Sequence, residues 1–174
     1  QTPKCVVGLK ANNPTLQGID LLKQELSINL FLDMTFGKSS EYYEKLYSEG
    51  LIDHSFFYDY TQEYGFGFGM VGSDTDKPDR VEEELKNILF AEKKEKIVTE
   101  EKLNSIRKKK IGAFLRSLNS PESIANQFTR YAFNDMKLFD VVTVLESLTY
   151  DEVNKAVQEF IDEDRMSVFQ ILPS

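Results

Sequence analysis

The chain has 174 residues, of which 41% are hydrophobic and 29% charged, a composition typical of one folded domain with a sizeable core. Its formal net charge of −8 disfavours a nucleic-acid partner, because binding to phosphates requires a basic surface. The single cysteine, Cys5, cannot form an internal disulfide and fits a reducing cytoplasm. No apolar run approaches the ~20 residues of a membrane span. We therefore expect residues 1–174 to form one cytoplasmic domain without a membrane partner.

The N-terminal run "QTPKCVVGLK" predicts a strand over residues 3–10. It has neither the basic start nor the apolar segment of a signal peptide, and it does not begin with Met. A chain that enters a strand this early is typical of a piece cut from a longer protein. We expect further encoded sequence upstream of Gln1.

The first half of the chain then alternates between helical and strand patterns. Apolar residues at helical spacing from Leu16 to Phe36 predict a long, mostly buried helix, and Ser39-Ser40 begins a second helix that ends at Gly50. Two β-rich runs follow, "IDHSFFYDY" and "YGFGFGMVG". We expect them to form a hairpin through Thr61-Gln62-Glu63.

The second half is mostly helical. Helices are predicted from Asp79 to about residue 95, after a cap at Thr99, after Ser120-Pro121, and after Thr149, whose partner Glu152 completes a capping box. The last run, "RMSVFQILPS", predicts a strand. The order β-α-α-β-β-α-α-α-α-β indicates an α+β fold with a mainly hairpin-built sheet.

A glycine-rich stretch, Gly67-Phe68-Gly69-Met70-Val71-Gly72, matches the dinucleotide motif G-x-G-x-x-G. That motif needs a strand before it and a helix directly after it, so that the pyrophosphate meets the helix N-terminus. Here bulky residues alternate with glycines inside a strand, and the next helix begins only near Asp79. We interpret the stretch as a hairpin strand, with its aromatic side chains packed under helices and its glycines on the open side.

Catalytic and metal sites lack candidate residues. The chain has one histidine, His54, and one cysteine, so a zinc site built on a histidine pair is excluded and no Ser-His-Asp set is identifiable. His54 alternates with Ile52, Phe56 and Tyr58, and we interpret it as a hydrogen-bonded structural residue of a strand. Cys5 is interpreted as a buried thiol. The basic run from residue 107 to 110 is interpreted as a solvated helix face.

Aromatic residues crowd the segment between Tyr42 and Phe68. Packing in the core accounts for most of them. The remainder can line a groove for an extended peptide whose backbone pairs with a strand edge, and glycines allow that backbone to approach closely. The residues predicted to contact a peptide are Tyr58, Tyr60, Tyr64, Gly65, Gly67 and Gly69.

Three features in this order resemble the second, non-catalytic half of insulinase-type (M16) zinc peptidases. A helix runs into "LYSEGLID", a hairpin with a glycine-rich second strand leads through "DTDKPD" into an acidic helix, and "TYDEV" opens the last helix. The similarity spans nearly the whole chain and is greatest to the bacterial, processing-peptidase-like branch. It implies a two-layer α/β sandwich, with helices on one face of a mainly antiparallel sheet.

The resemblance also implies a role. The family's zinc motif, H-x-x-E-H, is absent, so zinc is expected only in a missing N-terminal half and no cofactor in this chain. The full-length parent is expected to be a zinc metallopeptidase. This C-terminal domain would dock onto the catalytic N-terminal half, or onto a related subunit, and form one wall of a chamber for a peptide substrate.

One element of the family pattern is missing. Many relatives hold the substrate with the Arg and Tyr of R-x-x-x-G-L-x-Y, but Leu46 and Asp53 occupy those positions here. Tyrosines 58, 60 and 64 are chemically suitable replacements. Two alternatives stay open: an inactive scaffold or assembly subunit of the same family, and an unrelated α+β domain that binds a small ligand. Helices on both faces of the sheet, or βαβ order, would favour the unrelated domain.

Overall fold

The computed structural model describes residues 2–95 and 99–172, and for residues 92–95 it describes the backbone alone. It contains a four-stranded antiparallel sheet. Gln1, Pro173 and Ser174, at the ends of the two terminal strand predictions, lie outside the described residues. The strand order is β2-β3-β1-β4, so β2 and β4 form the edges. The strands are β1 (Lys4–Lys10), β2 (Phe57–Glu63), β3 (Phe66–Asp74) and β4 (Met166–Ile171).

Helices follow the strands in the predicted order, with one addition. Ser40, Thr99, Ser120 and Thr149 each accept a hydrogen bond from a backbone N–H three residues later, which confirms the four predicted caps. The helices of the described residues are α1 (Gly18–Phe36), α2 (Glu41–Ser48), α3 (Pro78–Glu95), α4 (Glu100–Ser117), α5 (Pro121–Phe133), α6 (Asp140–Ser147) and α7 (Tyr150–Phe160).

Helix α6 is the addition, because the sequence interpretation contained no helix there. Its N-cap residue, Phe139, makes no side-chain capping bond, and its sequence DVVTVLES is rich in β-branched residues. Such residues have low helix propensity, so neither the start signal nor the composition indicated a helix. Burial of Val141, Val144 and Leu145 stabilises α6 instead.

The hairpin is real, but its predicted turn is wrong. Thr61, Gln62 and Glu63 belong to β2, and the two-residue turn is Tyr64-Gly65. Gly65 has φ = +99°, a conformation that side chains with a Cβ rarely adopt, so a glycine is favoured at the tightest point of the turn. Strand β2 also begins later than predicted, at Phe57.

The two faces of the sheet are the reverse of the prediction. The helices cover the face that carries Cys5, Val7 and Leu9 of β1, together with Gly69, which pairs with Leu9. Phe66, Phe68, Phe169 and Ile171 lie on the opposite face, where Phe66 is 51% and Phe169 61% exposed. The expectation that the aromatics of β3 pack under helices and its glycines face outward is therefore wrong.

The physical reason is the size of the side chains opposite the glycines. A Cβ at Gly69 would lie 2.7 Å from Cζ of Phe160 and 3.4 Å from Cδ2 of Tyr60. These two rings meet edge to face, with centroids 5.2 Å apart, directly over the bare backbone. The glycines of β3 thus provide the space into which α7 packs its last aromatic residue.

Helix α1 is the centre of the helical layer. Its buried residues lie on almost every side of the helix, as expected for a helix surrounded by other elements. It contacts β2 on the sheet and the helices α2, α4, α6 and α7 around it. The predicted two-layer α+β architecture, with an antiparallel sheet and helices on one face, is confirmed.

Replacing Gly69 tests this packing. Gly69→Ala forces a methyl group into the ring of Phe160, which is fully buried, and we expect the free energy of unfolding to fall by about 1–3 kcal/mol. Urea denaturation followed by circular dichroism measures the change. Gly8→Ala is the matched control, because a Cβ there meets only atoms at 3.8 Å, and its effect should stay within about 0.5 kcal/mol. Equal stability of both variants would contradict this account of the covered face.

Candidate functional site

The residues predicted to contact a peptide do not share one surface. Tyr60 is 2% exposed, and its hydroxyl donates to Oε1 of Gln62 at 2.6 Å. The Tyr58 hydroxyl donates to Oδ1 of Asp33 at 3.1 Å. Gly67 and Gly69 face the helices. The hairpin turn alone, Tyr64-Gly65, places predicted residues in the open, so peptide contact by all six residues stays a prediction that the arrangement does not favour.

Both tyrosine hydroxyls are protonated structural groups. Burial raises the pKa of Tyr60 well above its ordinary value, and burial followed by the charge of Asp33 does the same for the pKa of Tyr58. Lys110 of α4 pairs with the other carboxylate oxygen of Asp33, at 2.6 Å. The chain Lys110–Asp33–Tyr58 therefore ties α4 and α1 to strand β2.

An open groove runs beside β2, the edge strand of the sheet. Its volume is about 570 Å³, and it lies between the outer edge of β2, helix α1 and the helices α4 and α5. The residues most important to its chemistry are Glu25, Tyr60, Lys110, Ala113, Gln127 and Arg130. The groove is the place where the described structure brings a strand edge, charged groups and apolar surface together.

A cluster of charged residues forms one end of this groove. Arg130 of α5 donates from Nη2 to Oε1 of Glu25 at 2.8 Å and from Nε to Oε1 of Glu63 at 2.6 Å. Nη2 also donates to the backbone carbonyl of Gln62 at 3.1 Å. Asn134 donates to the Glu63 carboxylate and to the carbonyl of Arg130, and it accepts the backbone N–H of Tyr64. The cluster connects α5, α1 and the hairpin.

Glu25 is the unusual member of the cluster. It is 7% exposed, and its Oε2 is buried without a hydrogen-bond partner among the described residues. Burial raises the pKa of its carboxyl, and the neighbouring Arg130 opposes that rise. The sequence analysis missed Glu25. An acidic residue between Leu22 and Leu26, on a helix predicted to be mostly buried, indicates a buried carboxylate that needs a partner.

The groups that the sequence analysis considered for metal or catalytic roles lie apart from one another. In the ranges 2–95 and 99–172, no group of three or more His, Cys, Asp and Glu is arranged to hold a metal ion. Cys5 is buried, and burial followed by the charge of Glu82 raises its pKa to about 11, so the thiol is protonated at neutral pH. His54 is exposed in a turn before β2, and its assignment to a strand face is therefore wrong.

The structure also shows the surroundings of Leu46 and Asp53, which occupy the positions of the family's substrate-binding Arg and Tyr. Leu46, at the position of the family's Arg, is fully buried at the base of α2. Asp53, at the position of the Tyr, lies in a turn and accepts the backbone N–H of Ser55 at 2.7 Å. Hydrogen bonds from the side chain of Ser55 and then from its backbone N–H lower the pKa of Asp53. Neither position provides the donors that the family pattern uses.

The fold is an antiparallel α+β domain with helices on one face of the sheet and an open groove beside β2. The chain is 54% identical over 173 residues to the Uncharacterized zinc protease YmfH of Bacillus subtilis (strain 168), and the match covers 99% of this chain and 40% of that protein. An M16-like peptidase from Alicyclobacillus acidocaldarius has the same fold, with a TM-score of 0.92 and 31% identity over 100% of this chain and 41% of its own.

A third relative corresponds to a single domain. The inactive peptidase domain of a zinc protease from Bordetella parapertussis shares the fold at 15% identity, with a TM-score of 0.81 over 99% of this chain and 91% of its own. None of the protein-family models that were searched matches the chain. The resemblance to M16-like zinc peptidases, predicted from the sequence, is confirmed.

The structure and the comparisons also bear on the extent of the match and on the alternative fold. The chain spans about two fifths of the length of the B. subtilis and A. acidocaldarius proteins. The alternative of an unrelated α+β domain loses its support, because every strand pair is antiparallel and the helices cover one face. No helix among the described residues is both long and apolar enough to cross a membrane.

Removing the guanidinium tests the charged cluster. Arg130→Met leaves the buried carboxylate of Glu25 without its cation, and we expect the free energy of unfolding at pH 7 to fall by about 1–3 kcal/mol. A carboxyl whose pKa is raised by folding destabilises the folded state above its unfolded pKa, and this cost disappears as the pH falls toward that value. The deficit should therefore be largest at neutral pH and shrink toward pH 4.5, the ordinary value for Glu25.

Urea denaturation at several pH values measures both effects. Arg116→Met is the control, because Arg116 is an exposed arginine on α4, outside the groove, and its loss should change stability by less than about 0.5 kcal/mol at any of these pH values. A deficit of Arg130→Met that is independent of pH would show that Glu25 is not the group responsible.

Proposed function

We propose that the chain is the non-catalytic, C-terminal domain of an M16-like zinc peptidase, which docks onto the catalytic half and forms one wall of a peptide-binding chamber. The observation that carries the proposal is its match to two fifths of a zinc protease at 54% identity, with no metal-binding cluster among its described residues. A domain of this kind contributes by binding and enclosing a substrate, since the reacting groups belong to the other half.

The open sheet face, defined by Phe66, Phe68, Phe169 and Ile171, is the proposed docking surface. Each of these side chains is more than one third exposed, and the rings of Phe66 and Phe68 stack with centroids 6.4 Å apart. Large apolar side chains exposed on a sheet face that no helix covers are typical of an interaction site. About three fifths of the B. subtilis relative lies outside the match, which supplies a partner of sufficient size for this face.

Zinc belongs, in this proposal, to the catalytic half alone. Purified chain is expected to bind less than about 0.1 equivalent of zinc and to cleave no peptide, because the family's H-x-x-E-H ligands are absent from the sequence and its one histidine is exposed in a turn. Metal analysis after dialysis against zinc, together with a fluorogenic peptide assay, measures both. Stoichiometric zinc or zinc-dependent cleavage would overturn the assignment.

An inactive scaffold of the same family is the second candidate. It is favoured by the relatives described as inactive domains and by the loss of the Arg–Tyr contact at Leu46 and Asp53. The presence of H-x-x-E-H in the part of the parent protein outside this chain distinguishes the two. A cytoplasmic, bacterial setting completes the proposal, supported by the lone reduced Cys5 and by the B. subtilis relative.

Charge introduced on the open sheet face tests the docking. The double variant Phe66→Glu with Phe68→Glu should lose at least about tenfold in affinity for the separately produced catalytic half, because burying two unpaired carboxylates is costly. Isothermal titration calorimetry measures the affinity, and circular dichroism verifies the fold. Phe133→Glu is the control, since Phe133 lies on α5 and is 83% exposed. Unchanged affinity of the double variant would exclude this face as the docking surface.

A further inference from the structure

The direction of the backbone groups in β1 follows from two hydrogen bonds at its ends. Thr75 donates its N–H to the carbonyl of Pro3 at 2.9 Å, and Ala11 donates its N–H to the carbonyl of Gly67 at 2.8 Å. Both bonds join β1, or its continuation, to the β3 side of the sheet. Because backbone direction alternates along a strand, the odd-numbered residues of β1 face β3 and the even-numbered ones face β4.

The same alternation fixes the outward groups of β4, the other edge of the sheet. Phe169 lies opposite an even-numbered residue of β1, so its N–H and C=O point to β1. Its neighbours Val168 and Gln170 therefore point theirs away from the sheet. Met166 agrees with this assignment, because its N–H turns back to the carbonyl of Glu163 outside the sheet.

The sequence of β4 lacks the features with which proteins usually block an edge strand. Met166–Ile171, MSVFQI, contains no charged residue and no proline. The opposite edge, β2, carries Asp59 and Glu63, and Arg130 of α5 binds the outward carbonyl of Gln62. Among the described elements, β4 has extensive contact with β1 alone. An open, uncharged edge of this kind is a template for another strand.

The charge of the chain limits where two copies of it can meet. Its 29 acidic and 21 basic residues give a net charge of −8, so most of its surface repels a second copy. Strand β4 is a strip without charge at the margin of the open apolar face. Two identical strands related by a two-fold axis exchange the same hydrogen bonds in both directions. A second copy of the chain therefore matches this edge in both charge and hydrogen bonding.

One two-fold register satisfies the outward groups of the strand. With Phe169 opposite its own copy, Val168 pairs with Gln170 of the second copy, and both residues exchange their outward N–H and C=O groups. The two Phe169 rings then meet in a pair without mutual backbone hydrogen bonds, the closer kind, with Cα atoms about 4.5 Å apart. Phe169 is 61% exposed in the single chain, so the contact removes apolar surface from water in both copies.

We propose that two copies of the chain associate through β4 about a two-fold axis at Phe169. The two four-stranded sheets join into one continuous antiparallel sheet, with the open apolar faces of both copies on the same side. The inference goes beyond the proposed function and does not depend on it, since the association needs no catalytic half.

Acidic side chains beside the joint determine how the association responds to salt. On the helix-covered face, Gln170 donates its side-chain amide to Asp79 at 3.2 Å and to Glu82 at 3.0 Å, and Lys86 pairs with Glu82 at 2.6 Å. Two copies bring both sets of acids near the axis, where their repulsion opposes association. Because salt screens this repulsion, we expect the dimer to become stronger between about 0.05 and 0.5 M sodium chloride. A dimer weakened by salt would contradict an uncharged joint.

Sedimentation equilibrium of the purified chain tests the association. We expect twice the mass of one chain, with a dissociation constant in the micromolar range. Val168→Pro removes an outward N–H without touching the bonds to β1, and Phe169→Lys places two like charges opposite each other, so each should raise the dissociation constant at least about tenfold. Circular dichroism verifies that both variants fold. A chain that stays monomeric up to about 1 mM would overturn the proposal.

Two lysine variants distinguish the edge from other surfaces. Phe133→Lys, at an 83% exposed residue of α5, is the matched control and should leave the dissociation constant within about threefold. Phe66→Lys lies on the open face but on β3, away from the edge, and should do the same. If Phe66→Lys weakens the dimer as much as Phe169→Lys, the copies meet through their open faces and the proposal is wrong.

Cysteine cross-linking tests the register. Phe169→Cys places two thiols opposite each other at the axis, and mild oxidation should link the copies, since the Cα separation of such a pair suits a disulfide. Ser167→Cys should not link them, because Ser167 lies opposite Ile171 of the second copy in this register. Linking through Ser167→Cys and not through Phe169→Cys would exclude the two-fold axis at Phe169.

The catalytic half is the competing partner for this edge. Its affinity for the Val168→Pro chain should equal its affinity for the unchanged chain, measured by isothermal titration calorimetry. A loss of tenfold or more there, together with an unchanged chain that is monomeric alone, would assign β4 to the catalytic half and reject association between copies. Loss of docking in Phe66→Glu with Phe68→Glu, by contrast, bears on the proposed function alone.

Discussion

The packing of Phe160 and Tyr60 over the bare backbone of Gly69 is the constraint on which the rest of the structure depends. Only the glycine side of β3 can accept these rings, since a Cβ would lie 2.7 Å from Phe160. The helices are consequently held on that side, and α7 closes on α1 and the sheet. The large side chains of β3 must then lie on the other face, where Phe66 and Phe68 remain exposed. The packing of these two rings against Gly69 therefore produces both the closed core and the open apolar face of the sheet.

The charged cluster around Arg130 has a different role. It joins three elements through hydrogen bonds of defined direction: α5, α1 and the hairpin. Burying Glu25 with one unpartnered oxygen costs stability, and an apolar residue of similar size would avoid that cost. In return, the hydrogen bonds of the cluster fix the position of α5 beside the end of β2. The polar contact between Arg130 of α5 and Gln62 of β2 lies at the end of the groove.

Local signals predicted most of the fold, and long-range packing accounts for what they missed. Caps at Thr99, Ser120 and Thr149 depend on residues three positions apart, so they are readable in the sequence. Helix α6 begins without such a cap and was missed. Period-two alternation showed that β3 has two unlike faces, but which face is covered depends on Phe160, far along the chain. The groove was missed for the same reason, since Glu25 and Arg130 are 105 residues apart. The hairpin turn was misplaced because Tyr58, Tyr60 and Gln62 continue one face through the polar run that looked like a loop.

The loss of the family's Arg–Tyr contact and the presence of the open strand edge fit together. A side-chain contact reads particular groups of a substrate, whereas a strand edge binds the backbone that every unfolded segment has in common. In the proposed role of a chamber wall, the domain would offer the open edge of β2 in place of that side-chain contact. Such a wall needs no reacting group of its own. Under the proposed function, its contribution to a reaction in the partner half would be to enclose and orient the substrate, which would reduce the entropy that the chemical step has to overcome.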